Sequence, residues 1–93
     1  MPHTAARVLA RFPLGQHSVE VTAESDGTLT LWLDGCVRKS RPSGARGTYL
    51  WTNVELPFED HHLVEVRRSA GPGSTVEVLV NGHVQQRSEV EAA

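Results

Sequence analysis

Cysteine is nearly absent from this 93-residue chain: Cys36 is the only one. An intramolecular disulfide is therefore impossible, and folding does not depend on an oxidising compartment. No stretch approaches the ~20 apolar residues that cross a bilayer as a helix. The N-terminal Met-Pro-His-Thr-Ala-Ala-Arg lacks the apolar run of a signal peptide. The compartment expected is the cytoplasm. Charge of one sign is also lacking. The net charge is -2, too small to recruit nucleic acid or an anionic membrane by a broad field. Lysine is almost missing, since Lys39 stands against eight arginines. That bias suggests a GC-rich genome and hence a bacterial or phage origin.

What is present is a repeat. Phe12-Pro13-Leu14-Gly15-Gln16-His17-Ser18-Val19-Glu20-Val21 aligns with Leu56-Pro57-Phe58-Glu59-Asp60-His61-His62-Leu63-Val64-Glu65-Val66, with one extra residue in the second turn. Further on, Thr28 to Val37 aligns with Thr75 to Val84, and Asp34-Gly35 matches Asn81-Gly82. The shared proline, His-x-Val-Glu-Val and Asx-Gly keep one order and nearly one spacing. The expectation is a single domain over 1–93, with repeat units near 7–41 and 49–88 and a frayed tail at 89–93.

Period-two alternation and turn residues predict four strands per unit. They are Arg7 to Phe12, His17 to Ala23, Thr28 to Leu33 and Cys36 to Ser40, then Tyr49 to Leu56, His62 to Arg68, Thr75 to Val80 and His83 to Arg87. Pro13 should end the first strand. Asx-Gly pairs favour tight type I′ hairpins. Arg41 to Gly47 and Gly71-Pro72-Gly73 read as turns. A helix over Ala5 to Arg11 competes with the first strand on propensity alone. The fold expected is all-β: an eight-stranded antiparallel β-sandwich, or a barrel, with an internal pseudo-twofold axis.

Strand phase then sorts the side chains. Val19, Val21, Leu29, Leu31, Leu33, Leu50, Val54, Leu56, Val64, Val66, Val76, Val78 and Val80 point inward. Trp32, Tyr49, Trp51, Asn53 and Leu79 point outward. Aromatic groups on a wet face suit binding. Trp32, Tyr49, Trp51 and Leu79 are the expected anchors, Asn53 a polar contact, and Arg38 and Arg46 rim charges. The competing explanation is that the Arg41 to Gly47 loop covers that face, or that a bulge reverses the phase.

Other motifs carry less. Glu59-Asp60-His61-His62 is rich in ligands, but turn neighbours cannot all converge on one ion. Cys36 has no surrounding nucleophile signature, so a structural thiol is favoured. Glu20 and Glu65 are routine outward glutamates rather than an acid pair across a cleft. Arg38, Lys39, Arg41 and Arg46 form the one basic stretch, read as solvated because acids stand at Glu55, Glu59 and Asp60. Nucleic acid is thus not expected, nor is a cofactor or a metal.

His17-Ser18-Val19-Glu20, Leu33-Asp34-Gly35 and Val80-Asn81-Gly82 resemble, in their order, motifs of the Fas apoptotic inhibitory molecule family. The resemblance spans much of the chain and implies a β-sandwich with a non-enzymatic, cytosolic interaction role. The function expected is a module that binds a protein partner or itself, in the manner of a phage or mobile-element accessory or inhibitor. A carbohydrate-binding β-sandwich module is the alternative.

Overall fold

The computed structural model describes residues 7–42, 44, 46–58, 60–70 and 74–89. Alternating sequence becomes eight strands: β1 (Arg7–Leu14), β2 (His17–Ala23), β3 (Leu29–Leu33), β4 (Cys36–Arg41), β5 (Thr48–Leu56), β6 (Asp60–Arg68), β7 (Thr75–Val80) and β8 (His83–Glu89). They form two antiparallel four-stranded sheets, ordered β1-β2-β3-β4 and β5-β6-β7-β8. Each sheet is a meander ending in strands with one hydrogen-bonded neighbour, so the barrel alternative is excluded. The described residues contain no helix, and β1 takes up Arg7 to Arg11 of the segment where helix competed, the rest of which lies outside the described residues. Pro13 does not end β1 but sits opposite Ser18 within it. An edge strand tolerates the missing N–H because it can face away from the ladder. Glu89, expected to open a frayed tail, instead ends β8; residues 90–93 of that tail and the turn expected at Gly71-Pro72-Gly73 lie outside the described residues.

The inward residues of both sheets form one apolar cluster. Val19, Val21, Leu29 and Leu31 come from one sheet, and Leu50, Val54, Val64, Val66, Val76, Val78 and Val80 from the other. Phe12, Leu14, Leu33 and Leu56 pack at its margin. Two side-chain bonds tie the outer strands β8 and β1. Ser88 Oγ donates to the Leu9 carbonyl over 3.1 Å, and Arg7 Nη2 to the Glu89 carbonyl over 2.9 Å.

The two sheets carry matching corners. Asp34-Gly35 and Asn81-Gly82 both have positive φ at each central residue, as a type I′ turn requires. Asp34 Oδ1 accepts the Ser18 N–H over 2.8 Å, and Asn81 Oδ1 accepts the Leu63 N–H over 2.9 Å. Each Asx side chain also meets a histidine in the first residues of the neighbouring strand: His17 Nδ1 donates to Asp34 over 2.5 Å, and Asn81 Nδ2 donates to His62 Nδ1 over 2.8 Å. The β3–β4 register shifts between Leu31 and Trp32, and the β7–β8 register at the aligned pair Val78 and Leu79. Gly47 closes the link into β5. Its φ is 95°, and a Cβ there would stand 2.5 Å from the Arg68 carbonyl oxygen, so a larger residue fails on both counts.

Candidate functional site

The outer face of β5–β8 is organised in rows across the strands. Trp51, Glu65, Leu79 and Val84 form one row, and Tyr49, Arg67, Glu77 and Arg87 the next. Tyr49 and Trp51 are 43 % and 44 % exposed. Both are held by polar neighbours. The Tyr49 hydroxyl donates to Glu65 Oε2 over 2.6 Å, and Arg67 Nη2 donates to the same oxygen over 3.3 Å. Glu65 is only 8 % exposed, so these bonds satisfy a buried carboxylate. The Glu65 hydrogen bond, followed by desolvation and the glutamate's negative charge, raises the Tyr49 pKa above 10.0. The Lys39 ammonium lies 5.3 Å from the Trp51 ring centroid, within cation–π range. Lys39 therefore brings β4 beside the aromatic strand, and Asn53 continues the exposed face of β5.

Two expected anchors are corrected. Leu79 is on the outer face as predicted but is only 5 % exposed. It sits on an inner strand, paired with Glu65 on one side and Val84 on the other, so it has neighbours on both flanks. Trp32 is half-buried, and its indole N–H donates to Thr22 Oγ1 over 2.9 Å on its own sheet. It belongs to β3, whereas Tyr49, Trp51 and Leu79 belong to the second sheet, so the aromatics do not share one face. Arg38 and Arg46 are exposed. The strongest exposed group, Phe58, was missed. It is 100 % exposed in the β5–β6 turn, with φ 67°. Phase arguments cover strands only; an aromatic after proline, where turns favour Gly, Asn or Asp, was the available signal.

The other candidate groups are occupied locally. Asn81 Oδ1 accepts from Leu63, so its nitrogen is the donor and His62 Nδ1 the acceptor, leaving His62 Nε2 to donate to Asp60 over 2.9 Å. Glu20 pairs with Arg11 and Glu65 with Tyr49 and Arg67, on different sheets. Cys36 is exposed at the start of β4. Among the described residues no three His, Cys, Asp or Glu side chains are placed to hold a metal ion. No described helix is long and apolar enough to cross a membrane.

No family model matches the chain, and no curated protein or solved structure matches it significantly.

Proposed function

We propose that this chain is a non-enzymatic protein-interaction module that binds a protein partner, or a second copy of itself, through Tyr49 and Trp51 on β5. One observation carries the reading: two aromatic rings, two residues apart on one strand face, stand half-exposed while polar neighbours fix them. Rigid aromatics in a fixed pose lose little entropy on binding and dominate interface energies. Asn53 supplies an adaptable polar contact beside them. Loss of the partner, or of self-association, on Trp51→Ala or Tyr49→Ala is the expected outcome, measured by pull-down and by light scattering after size-exclusion chromatography. Trp32→Phe on the other sheet serves as control. If both alanine variants keep the partners and the mass of the native chain, the reading falls.

The same ring spacing favours a second reading, a carbohydrate platform. Alternate residues on a strand stand about 6.6 Å apart, a span that stacked sugar rings can follow. Titrating tryptophan fluorescence with a glycan panel separates the two, and a flat response removes the sugar reading.

We infer also that the two sheets are copies of one meander packed face to face as a sandwich about a pseudo-twofold axis. The matching Asx-Gly corners, histidine contacts and register shifts support the duplication. The shared apolar cluster supports the sandwich. A scattering radius near the Cα value of 13.1 Å is expected in solution, and a much larger one for the monomer opposes the packing. The resemblance to the Fas apoptotic inhibitory molecule family points toward the same kind of domain. A cytoplasmic accessory or inhibitor role in a phage or mobile element accords with the free Cys36 and the arginine bias.

A further inference from the structure

We propose that the open edge of β4, with Tyr49 and Trp51 beside it, receives an acidic, extended segment of a protein partner. The inference rests on the interaction reading above and names the partner's chemistry.

The charges show where such a segment would lie. Glutamates engage Arg11, Arg67 and Arg87, while Arg7 reaches the Glu89 carbonyl and Arg68 the Gly27 carbonyl. The other four of the nine cations are Arg38, Lys39, Arg41 and Arg46. None of their side chains has a hydrogen bond or ion pair to a described residue; Arg38 feels the Asp34 carboxylate at longer range, and Lys39 lies over the Trp51 ring. A chain with net charge -2 thus gathers in one nine-residue stretch the four cations whose side chains make no hydrogen bond or ion pair to a described residue. Two of the acids that argued against a basic site, Glu55 and Asp60, stand elsewhere. Glu55 is four residues beyond Trp51, roughly 13 Å along an extended strand, and Asp60 follows the next turn. Glu65 is closer but is committed to Tyr49 and Arg67.

The backbone identifies the kind of polyanion. β4 is hydrogen-bonded to β3 alone, and all six of its residues are exposed. An open edge offers N–H and C=O groups that an extended peptide can pair with and a nucleic acid cannot pair with as a strand. Two β4 edges side by side would oppose cations with cations, so this edge disfavours its own copy and accepts a strand carrying carboxylates. The aromatic pair on β5 then offers apolar contact to residues between the acids.

The test uses the full chain and three probes: a labelled peptide alternating Glu with Thr and Val, the same peptide with Gln for Glu, and a thymidine oligonucleotide of equal charge. The acidic peptide is expected to bind, to weaken with added salt, and to bind about tenfold better than the Gln peptide. Arg38→Glu with Arg41→Glu should lose a similar factor, with an unchanged circular dichroism spectrum and melting temperature. If charge reversal perturbs the fold, Arg38→Gln with Arg41→Gln provides the same comparison. No binding of the acidic peptide, equal binding of the Gln peptide, or no effect of the arginine substitutions overturns the proposal. Tighter binding of the oligonucleotide overturns it in favour of nucleic acid. If Trp51→Ala abolishes capture of a natural partner while the arginine variants do not, the interaction reading stands and this inference alone fails.

Discussion

Tyr49 is the only tyrosine in the chain, so tyrosinate absorbance reports it alone. Its pKa is raised by the Glu65 hydrogen bond first, then by desolvation and the carboxylate's charge. A raised pKa means the neutral phenol is favoured in the fold. Its stabilising effect is complete below the unfolded value and is lost as pH rises through the folded one. The titration midpoint should lie above 10.0 and fall toward it in Glu65→Gln; an unchanged midpoint would show that Glu65 is not the cause. Asp34 has the opposite sign. The His17 hydrogen bond, then the Ser18 N–H, holds its pKa below 3.8. The stability this brings is complete above the unfolded value and is lost as pH falls through the lowered one. Asp34→Asn should flatten that part of the acid limb while leaving the contribution of Asp26, which is lowered by Thr28. Melting temperatures measured from about pH 5 downward check it; parallel acid limbs count against it. At this scale the sequence was only partly legible. Alternation placed Tyr49 and Trp51 outward, but could not show that Glu65, an ordinary outward glutamate by pattern, lies buried beneath a phenol. Leu79 failed for a related reason: phase gives the face of a sheet, whereas exposure depends on how far neighbouring rows lean over it.

Strands were the most legible elements. His17–Ala23 and Thr75–Val80 have the bounds that alternation predicts, because the alternation in sequence stops at glycine and polar residues on either side. Errors gathered at ends that depend on tertiary setting, as where β1 runs through Pro13 to Leu14. The β5–β6 turn was the least legible. Its Phe58 adopts φ 67° with the whole side chain in solvent. A bulky residue in the left-handed region costs on the order of 1–2 kcal/mol, and an exposed ring returns no burial energy. Asparagine tolerates that region far better. Phe58→Asn should therefore raise the melting temperature by about 4–8 °C, the shift that about 1 kcal/mol produces in a domain of this size. A lower melting temperature would mean that the ring contributes to the fold despite its exposure.

For the whole molecule the question is whether two meanders fold as two units or one. Hydrogen bonding keeps them apart, since no ladder joins the sheets. Burial joins them, since Leu31 and Leu29 share one cluster with Leu50, Val64 and Val78. Among the described residues no second apolar cluster of that extent is buried, and a four-stranded meander with its apolar face uncovered lacks the burial that offsets conformational entropy. Burial should therefore win, giving one cooperative transition worth roughly 5–14 kcal/mol at 0.05–0.15 kcal/mol per residue. The two tryptophans report it separately, with Trp32 in the first sheet and Trp51 in the second. Single-tryptophan variants, Trp51→Phe and Trp32→Phe, should give coincident denaturant curves once each is referred to its own stability. Leu31→Ala, at a residue buried in the first sheet, should cost about 2–5 kcal/mol. That loss should register at Trp51 as fully as at Trp32. If instead Leu31→Ala moves only the Trp32 signal, or the two probes melt apart, the sheets are separate folding units that merely touch.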